Sequence, residues 1–185
     1  MVLKPQDIVV LLKLVALGHS NWSYSRLASE LEMSQSEVHA ATKRAVASQL
    51  AYEAGSKILP NIKNLLEFIL HGLKYMCVPE FGKLCFGVPT KFAAPPLNAV
   101  CATTIKIPHV WPDPGAEVEG LSFSPLYKSV PKAAKKDDEL YMLLALVDAV
   151  RGGCIGEQQR AKKTLVAKFK MSALNSLNVN VAARW

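Results

Sequence analysis

The sequence predicts a mainly helical α+β chain, and three observations carry that expectation. Apolar residues recur at helical spacing in four segments before residue 77 and in two more after residue 136. Between them, nine of the eleven prolines fall within residues 78–131 and cut the chain into short pieces that exclude long helices. Half of the 185 residues are apolar, enough to bury a substantial core. The expected division is a helical segment over 1–76, an irregular proline-rich or small-sheet segment over 77–136, and a helical segment with a basic tail over 137–185.

The first helix opens at Pro5, carries Ile8, Leu11, Leu12, Val15 and Ala16 at helical spacing, and closes at Gly18. Val9, Val10, Leu14 and Leu17 make it apolar almost all round, so burial on more than one side is expected, by its own domain and by a second subunit. Ser23 caps a short second helix whose inner face is Leu27, Ala28 and Leu31. Met33 and Ser34 break the pattern, and Ser34 with Glu37 three residues on has the spacing of a capping box. The helix it opens runs to about Gln49, with Val38, Ala41, Ala45 and Val46 inside. Leu50 to Leu59 reads as a brief extended pair around Gly55-Ser56, and Pro60 ends it. Asn61 then caps a helix over 62–76, with Leu65, Leu66, Ile69, Leu73 and Met76 on one side.

In the middle segment, Val100 to Ile107 and Glu117 to Phe123 have strand composition, and either a small sheet or an extended arm accommodates them. Its aromatics Phe92, Trp111, Phe123 and Tyr127 either form an adhesive surface or anchor the segment to its own core. Asp137 to Arg151 is acidic at its start and basic at its end, as the helix dipole favours, and Gly152-Gly153 stops it. Gly156 to Phe169 reads as a basic amphipathic helix, and the last fifteen residues as loosely ordered.

The formal net charge of +7 suits a polyanionic partner. Residues 1–75 hold 8 Lys/Arg against 6 Asp/Glu, residues 76–150 hold 7 against 8, and residues 151–185 hold 7 against 1, so the excess sits in the tail. There Arg160, Lys162, Lys163, Lys168 and Lys170 either track phosphates or solvate a helix face. Cys77, Cys85, Cys101 and Cys154 show no CxxC pair and read as buried or semi-buried free thiols. The four histidines are scattered, no phosphate-cradling loop or nucleophile elbow is present, and neither metal, cofactor nor enzyme activity is expected. The apolar run from Ile8 to Gly18 is broken by Lys13 and falls short of the roughly twenty residues of a membrane span. No membrane association and a cytoplasmic location are the expectation.

Two short helices joined by a tight turn, the second longer and polar outside, suit the major groove of double-stranded DNA, which admits one helix. The outward set of the second is Gln35, Ser36, His39, Ala40, Lys43 and Arg44, preceded by its cap Ser34. Gln35 can pair with adenine, Ser36 and His39 with bases or phosphates, and Lys43 and Arg44 with phosphate. Lys57 and the start of the preceding helix, Ser23, Ser25 and Arg26, add phosphate contacts. The stretch from Arg26 to His39, R-L-A-S-E-L-E-M-S-Q-S-E-V-H, resembles the winged helix-turn-helix of MarR-like bacterial transcription regulators, over residues 5 to about 76. That resemblance implies a homodimer on a palindromic operator, with the second helix in the major groove and the wing beside it. A transcriptional regulator, and a repressor, is the function expected. The wing is shorter than the family's and offers only Tyr52, Ser56 and Lys57, and the proline-rich middle has no counterpart there, so no ligand residues carry over. The alternative is an antitoxin or adaptor whose winged helix and middle segment bind a partner protein, and the acids Glu30, Glu32 and Glu37 beside the motif speak for it.

Overall fold

The computed structural model describes residues 2–18, 20–55, 57–98 and 107–182, with the backbone alone for Asn98 and 174–182. It is a mixed α+β fold, mainly helical. Helix α1 (Pro5–Leu17) starts where the Asp7 carboxylate accepts the Lys4 backbone N–H at 2.8 Å. In α2 (Tyr24–Leu31) the Ser23 hydroxyl accepts from the Arg26 N–H, and Leu27, Ala28 and Leu31 face inward. Helix α3 (Gln35–Ala47) opens on a complete capping box, in which Ser34 accepts from the Glu37 N–H while the Glu37 carboxylate accepts from the Ser34 N–H. The two strands that follow, β1 (Ala51–Ala54) and β2 (Lys57–Pro60), pair antiparallel.

The helix expected over 62–76 forms with an interruption: α4 (Ile62–Glu67), capped by Asn61, passes through a π turn (Phe68–Gly72) into α5 (Leu73–Met76). Leu65, Ile69, Leu73 and Cys77 are buried at a constant spacing of four. In a regular helix that spacing drifts by about 40° per step, and the wider π turn takes up the drift. Met76, expected on the inner side, is consequently turned outward.

The middle segment forms a small sheet rather than an arm. Its longest strand, β3 (Phe81–Pro89), was not among the expected strands, and it pairs antiparallel with both β4 (His109–Pro112) and β5 (Val118–Phe123). Strands β4 and β5 also pair, in parallel, and the three close into a small barrel. Between β3 and β4 lie a 3-10 turn (Lys91–Ala93) and the short α6 (Pro95–Asn98). The expected strand Glu117 to Phe123 corresponds to β5, whereas Val100 to Lys106 lies outside the described residues. Backbones approach so closely here that a Cβ on Gly87 would stand 2.2 Å from the Trp111 carbonyl oxygen, and one on Gly120 2.4 Å from that of Pro108.

Helix α7 (Val130–Ala134) leads to α8 (Asp138–Gly152), whose N-cap Asp137 accepts from the N–H groups of Glu139 and Leu140. Helix α9 (Ile155–Ala182) continues through the stretch expected to be loosely ordered. Its sequence after Gly156 holds no glycine or proline to stop it. Helix α8 is buried nearly all round, and α1 packs on α3 and on α8. The all-round apolar surface of α1 is thus covered from within the chain, by a helix that lies about 120 residues downstream, so it no longer calls for a second subunit.

Candidate nucleic-acid interface

Helix α3 buries Val38, Ala41, Thr42 and Ala45 and leaves Gln35, Ser36, His39 and Lys43 exposed, with Ala40 half-buried among them. These five residues form one ridge, as 3.6-residue periodicity requires. Among the described residues the side chains of Gln35, Ser36 and Lys43 hold no partner of their own. One flank of the ridge is built by residues before and within α2. The Tyr24 hydroxyl lies 3.4 Å from the Thr42 hydroxyl, its ring meets the His39 ring edge-on at 5.2 Å, and Trp22 stands edge-on to Tyr24 at 5.4 Å. His39 is therefore held by an aromatic stack while its other side stays open to solvent.

Ser23, Ser25 and Arg26 are exposed at the start of α2. Arg26 donates to the Glu30 carboxylate at 2.6 Å and to the Asn21 carbonyl at 3.0 Å. The Lys57 amine donates to the Asn21 side-chain oxygen at 2.7 Å. Strand β2 and the start of α2 thus converge on Asn21, which brings Lys57 and Arg26 together beside the ridge. Ser56 lies outside the described residues, and Tyr52 is exposed on β1.

Arg44 departs from the expected placement. Its guanidinium turns away from the ridge and grips Asp7 of α1 in a two-pronged pair, Nε to Oδ2 at 2.8 Å and Nη2 to Oδ1 at 2.6 Å. Asp7 is fully buried and Arg44 largely so. A buried carboxylate must be paired, and Arg44 is the cation within reach, so its charge serves the α1–α3 contact instead of facing outward.

The three acids around the motif are each bonded within the chain, Glu30 and Glu32 to cations and Glu37 to neutral donors. Glu30 stands 2.6 Å from the Lys13 amine as well as from Arg26. Glu32 is paired with Lys136, which also donates to the Ser29 carbonyl at 3.1 Å. Glu37 accepts from the Tyr127 hydroxyl at 2.5 Å and from both the N–H and the hydroxyl of Ser34 at 2.8 Å. Tyr127 first, then the Ser34 groups, hold the Glu37 carboxyl down at about 2. Tyr127 and Lys136 come from 90 and 104 residues away in sequence, and no local pattern announces that they meet α2 and α3.

Asp148, fully buried in α8, accepts from the Trp111 indole at 2.6 Å, the Thr90 hydroxyl at 2.9 Å and Arg151 at 2.6 Å. Trp111, Phe123 and Phe92 are buried, so these aromatics anchor the middle segment to its own core. Cys77 is buried, which pushes its thiol up, and Cys85 is half-buried. Cys154 is exposed, against expectation, because the Gly152-Gly153 break carries it out of α8 into the turn before α9; Cys101 lies outside the described residues. Among the described residues no cluster of His, Cys, Asp and Glu is placed to share a metal ion, and no helix is long and apolar enough to cross a membrane.

In comparisons with known protein families, with curated proteins and with solved structures, nothing matches this chain.

Proposed function

We propose that this chain reads double-stranded DNA through α3 as a transcriptional regulator, acting as a homodimeric repressor. The observation that supports it best is the combination on one face: a ridge of Gln35, Ser36, His39 and Lys43 free to meet base edges and phosphates, with Glu30 and Glu32 beside it paired to cations and Glu37 bonded to Tyr127. An unpaired carboxylate at that position would repel the phosphate backbone; Lys13, Arg26 and Lys136 offset Glu30 and Glu32, whereas Glu37 keeps its charge and is bonded to Tyr127 and Ser34. Gln35, Ser36 and His39 read bases, and Lys43, Lys57 and the start of α2 at Ser23, Ser25 and Arg26 grip phosphates. Arg44 takes no part in this reading. The test is selection of bound duplexes from a random pool by the full chain, with its mass in solution measured in parallel. Enrichment of a two-fold symmetric sequence by a dimer is the expected result, and absence of any duplex binding at low salt overturns the proposal.

A second reading, an antitoxin or adaptor that binds a partner protein, is favoured by one observation. Strand β3 and its neighbours in sequence and sheet expose Phe81, Leu84, Phe86, Val118 and Val78, large apolar side chains of the kind that serve contacts between proteins. Alanine at Leu84 and Phe86 separates the two. On the second reading it abolishes capture of a co-purifying protein and leaves DNA unaffected, whereas on the first it changes only the mass of the chain in solution.

A further inference from the structure

The ridge on α3 has two flanks, and the sequence motif accounts for one. Tyr24, Trp22, Asn21 and Lys57 line the side on which His39 and Thr42 lie. Glu37 lies about 200° around the helix from His39, at 100° per residue, and so marks the opposite side. That side is bordered by residues 125–136, far downstream. Tyr127 seats its hydroxyl on Glu37, the third residue of α3, and α7 packs against α2. The segment thereby abuts the N-terminal turn of α3, the end that a recognition helix presents to the bases.

Two lysines of this segment, Lys128 and Lys132, are exposed. The Lys128 ammonium stands 5.8 Å from the centre of the Tyr127 ring, and its charge is felt at Glu37. Lys132 acts in the same way on Glu32, the residue in the turn between α2 and α3. Neither lysine holds an ion pair among the described residues, whereas Lys135 and Lys136 beside them are bound to Asp113 and Glu32. A helix lying in a major groove has a phosphate rail on each side, about 12 Å apart. The α2 side already supplies cations to one rail, and the second rail faces the border that Lys128 and Lys132 occupy.

We infer that Lys128 and Lys132, carried by a segment outside the helix-turn-helix, contact the phosphate backbone on the second flank of α3, so that the duplex is gripped from both sides. This inference rests on the DNA-reading proposal above. Tyr127 is the positioning residue, since its bond to Glu37 fixes where the lysine-bearing turn meets α3.

The experiment measures equilibrium binding of the full chain to mixed-sequence duplex DNA across a salt series, for the wild type, Lys43→Ala, Lys128→Ala, Lys132→Ala and the double variants Lys128→Ala/Lys132→Ala and Lys128→Arg/Lys132→Arg. Each phosphate contact contributes a slope of about 0.9 in log K against log salt, which corresponds to about eight-fold in affinity near 0.1 M salt. Each single alanine at 128 or 132 is expected to lower the slope by about one and weaken binding about eight-fold, and the arginine pair to keep the wild-type slope. Unchanged slopes in the Lys128 and Lys132 variants, alongside a reduced slope in Lys43→Ala, overturn the second contact and leave the DNA reading standing. Absence of wild-type binding at low salt removes both. Both positions are exposed, so melting curves of the alanine variants should superimpose on the wild type, which assigns any slope change to lost contacts.

Discussion

At the scale of single residues, neighbouring basic side chains on α3 have opposite duties. Lys43 is exposed and has no partner among the described residues, and Arg44 is committed to a buried carboxylate. Arg44→Ala leaves Asp7 buried without its counter-charge, and breaking a buried pair in that way costs about 3–5 kcal/mol. Asp7→Ala is expected to cost less, because the arginine it frees sits nearer the surface and can reach water. Lys43→Ala should shift stability by no more than about 0.5 kcal/mol, as befits an exposed site. Urea unfolding of the three variants checks the order, and equal stability of Arg44→Ala and Lys43→Ala would contradict it. Glu37 gives a second test. Its carboxyl ordinarily titrates near 4.5 and is held at about 2 in the fold, so it contributes stability above 4.5 that is lost as pH falls from there toward 2. Tyr127→Phe removes the largest cause of that depression. The Glu37 side-chain carbon signal in NMR should then titrate at higher pH than in the wild type, and an identical midpoint in both proteins refutes the bond.

At the scale of elements, what was legible had a local cause. Ser34 and Glu37 announce the start of α3 because a capping box is a contact across three residues, and the acidic start and basic end at Asp137 and Arg151 announce α8 because the helix dipole acts on its own end turns. The exposed set Gln35, Ser36, His39 and Lys43 was legible because it follows from the same helical phase that buries Val38, Ala41 and Ala45. Strand β3 was not, since Gly82, Gly87 and Pro89 read as breaks and Phe81, Leu84 and Phe86 are exposed instead of alternating with polar residues. Its glycines have a reason visible only in three dimensions. A Cβ at Gly87 meets backbone at 2.2 Å, which cannot rotate aside, whereas one at Gly82 meets the Ser122 side chain at 3.0 Å. Gly87→Ala is therefore expected to destabilise at or above the upper end of the usual 1–3 kcal/mol for overpacking, about 3 kcal/mol, and Gly82→Ala by about 1 kcal/mol or less. Thermal melts of the two variants compare them, and a Gly87→Ala protein that melts with the wild type would show that β3 and β4 do not approach as described.

At the scale of the whole molecule, helices α1–α3 are built into a larger core. One side of α1 is covered by α3 and another by α8, and the Lys13 amine stands 2.6 Å from both Glu30 of α2 and Asp137 at the start of α8. Lys136, next to Asp137 in the chain, adds a second connection, to Glu32 and the Ser29 carbonyl. Neither link could be inferred from the first 76 residues, where Lys13 reads only as an interruption in an apolar run. The physical consequence is that residues 1–76 should not stand alone. Without α8 the apolar side chains of α1 that face it meet water, at about 25 cal/mol per Å² of surface, and Lys13 loses one of its two counter-charges while remaining deep in α1. Expressed by itself, the 1–76 segment is expected to show broad, uncooperative melting and to bind a hydrophobic dye, while the full chain unfolds in one cooperative step. In the full chain, Lys13→Ala should lower the midpoint of that step without making it broader, since the apolar contact between α1 and α8 persists. A sharp melt of the isolated segment with its full helical signal would show instead that the motif is self-sufficient and that α8 only rests against it.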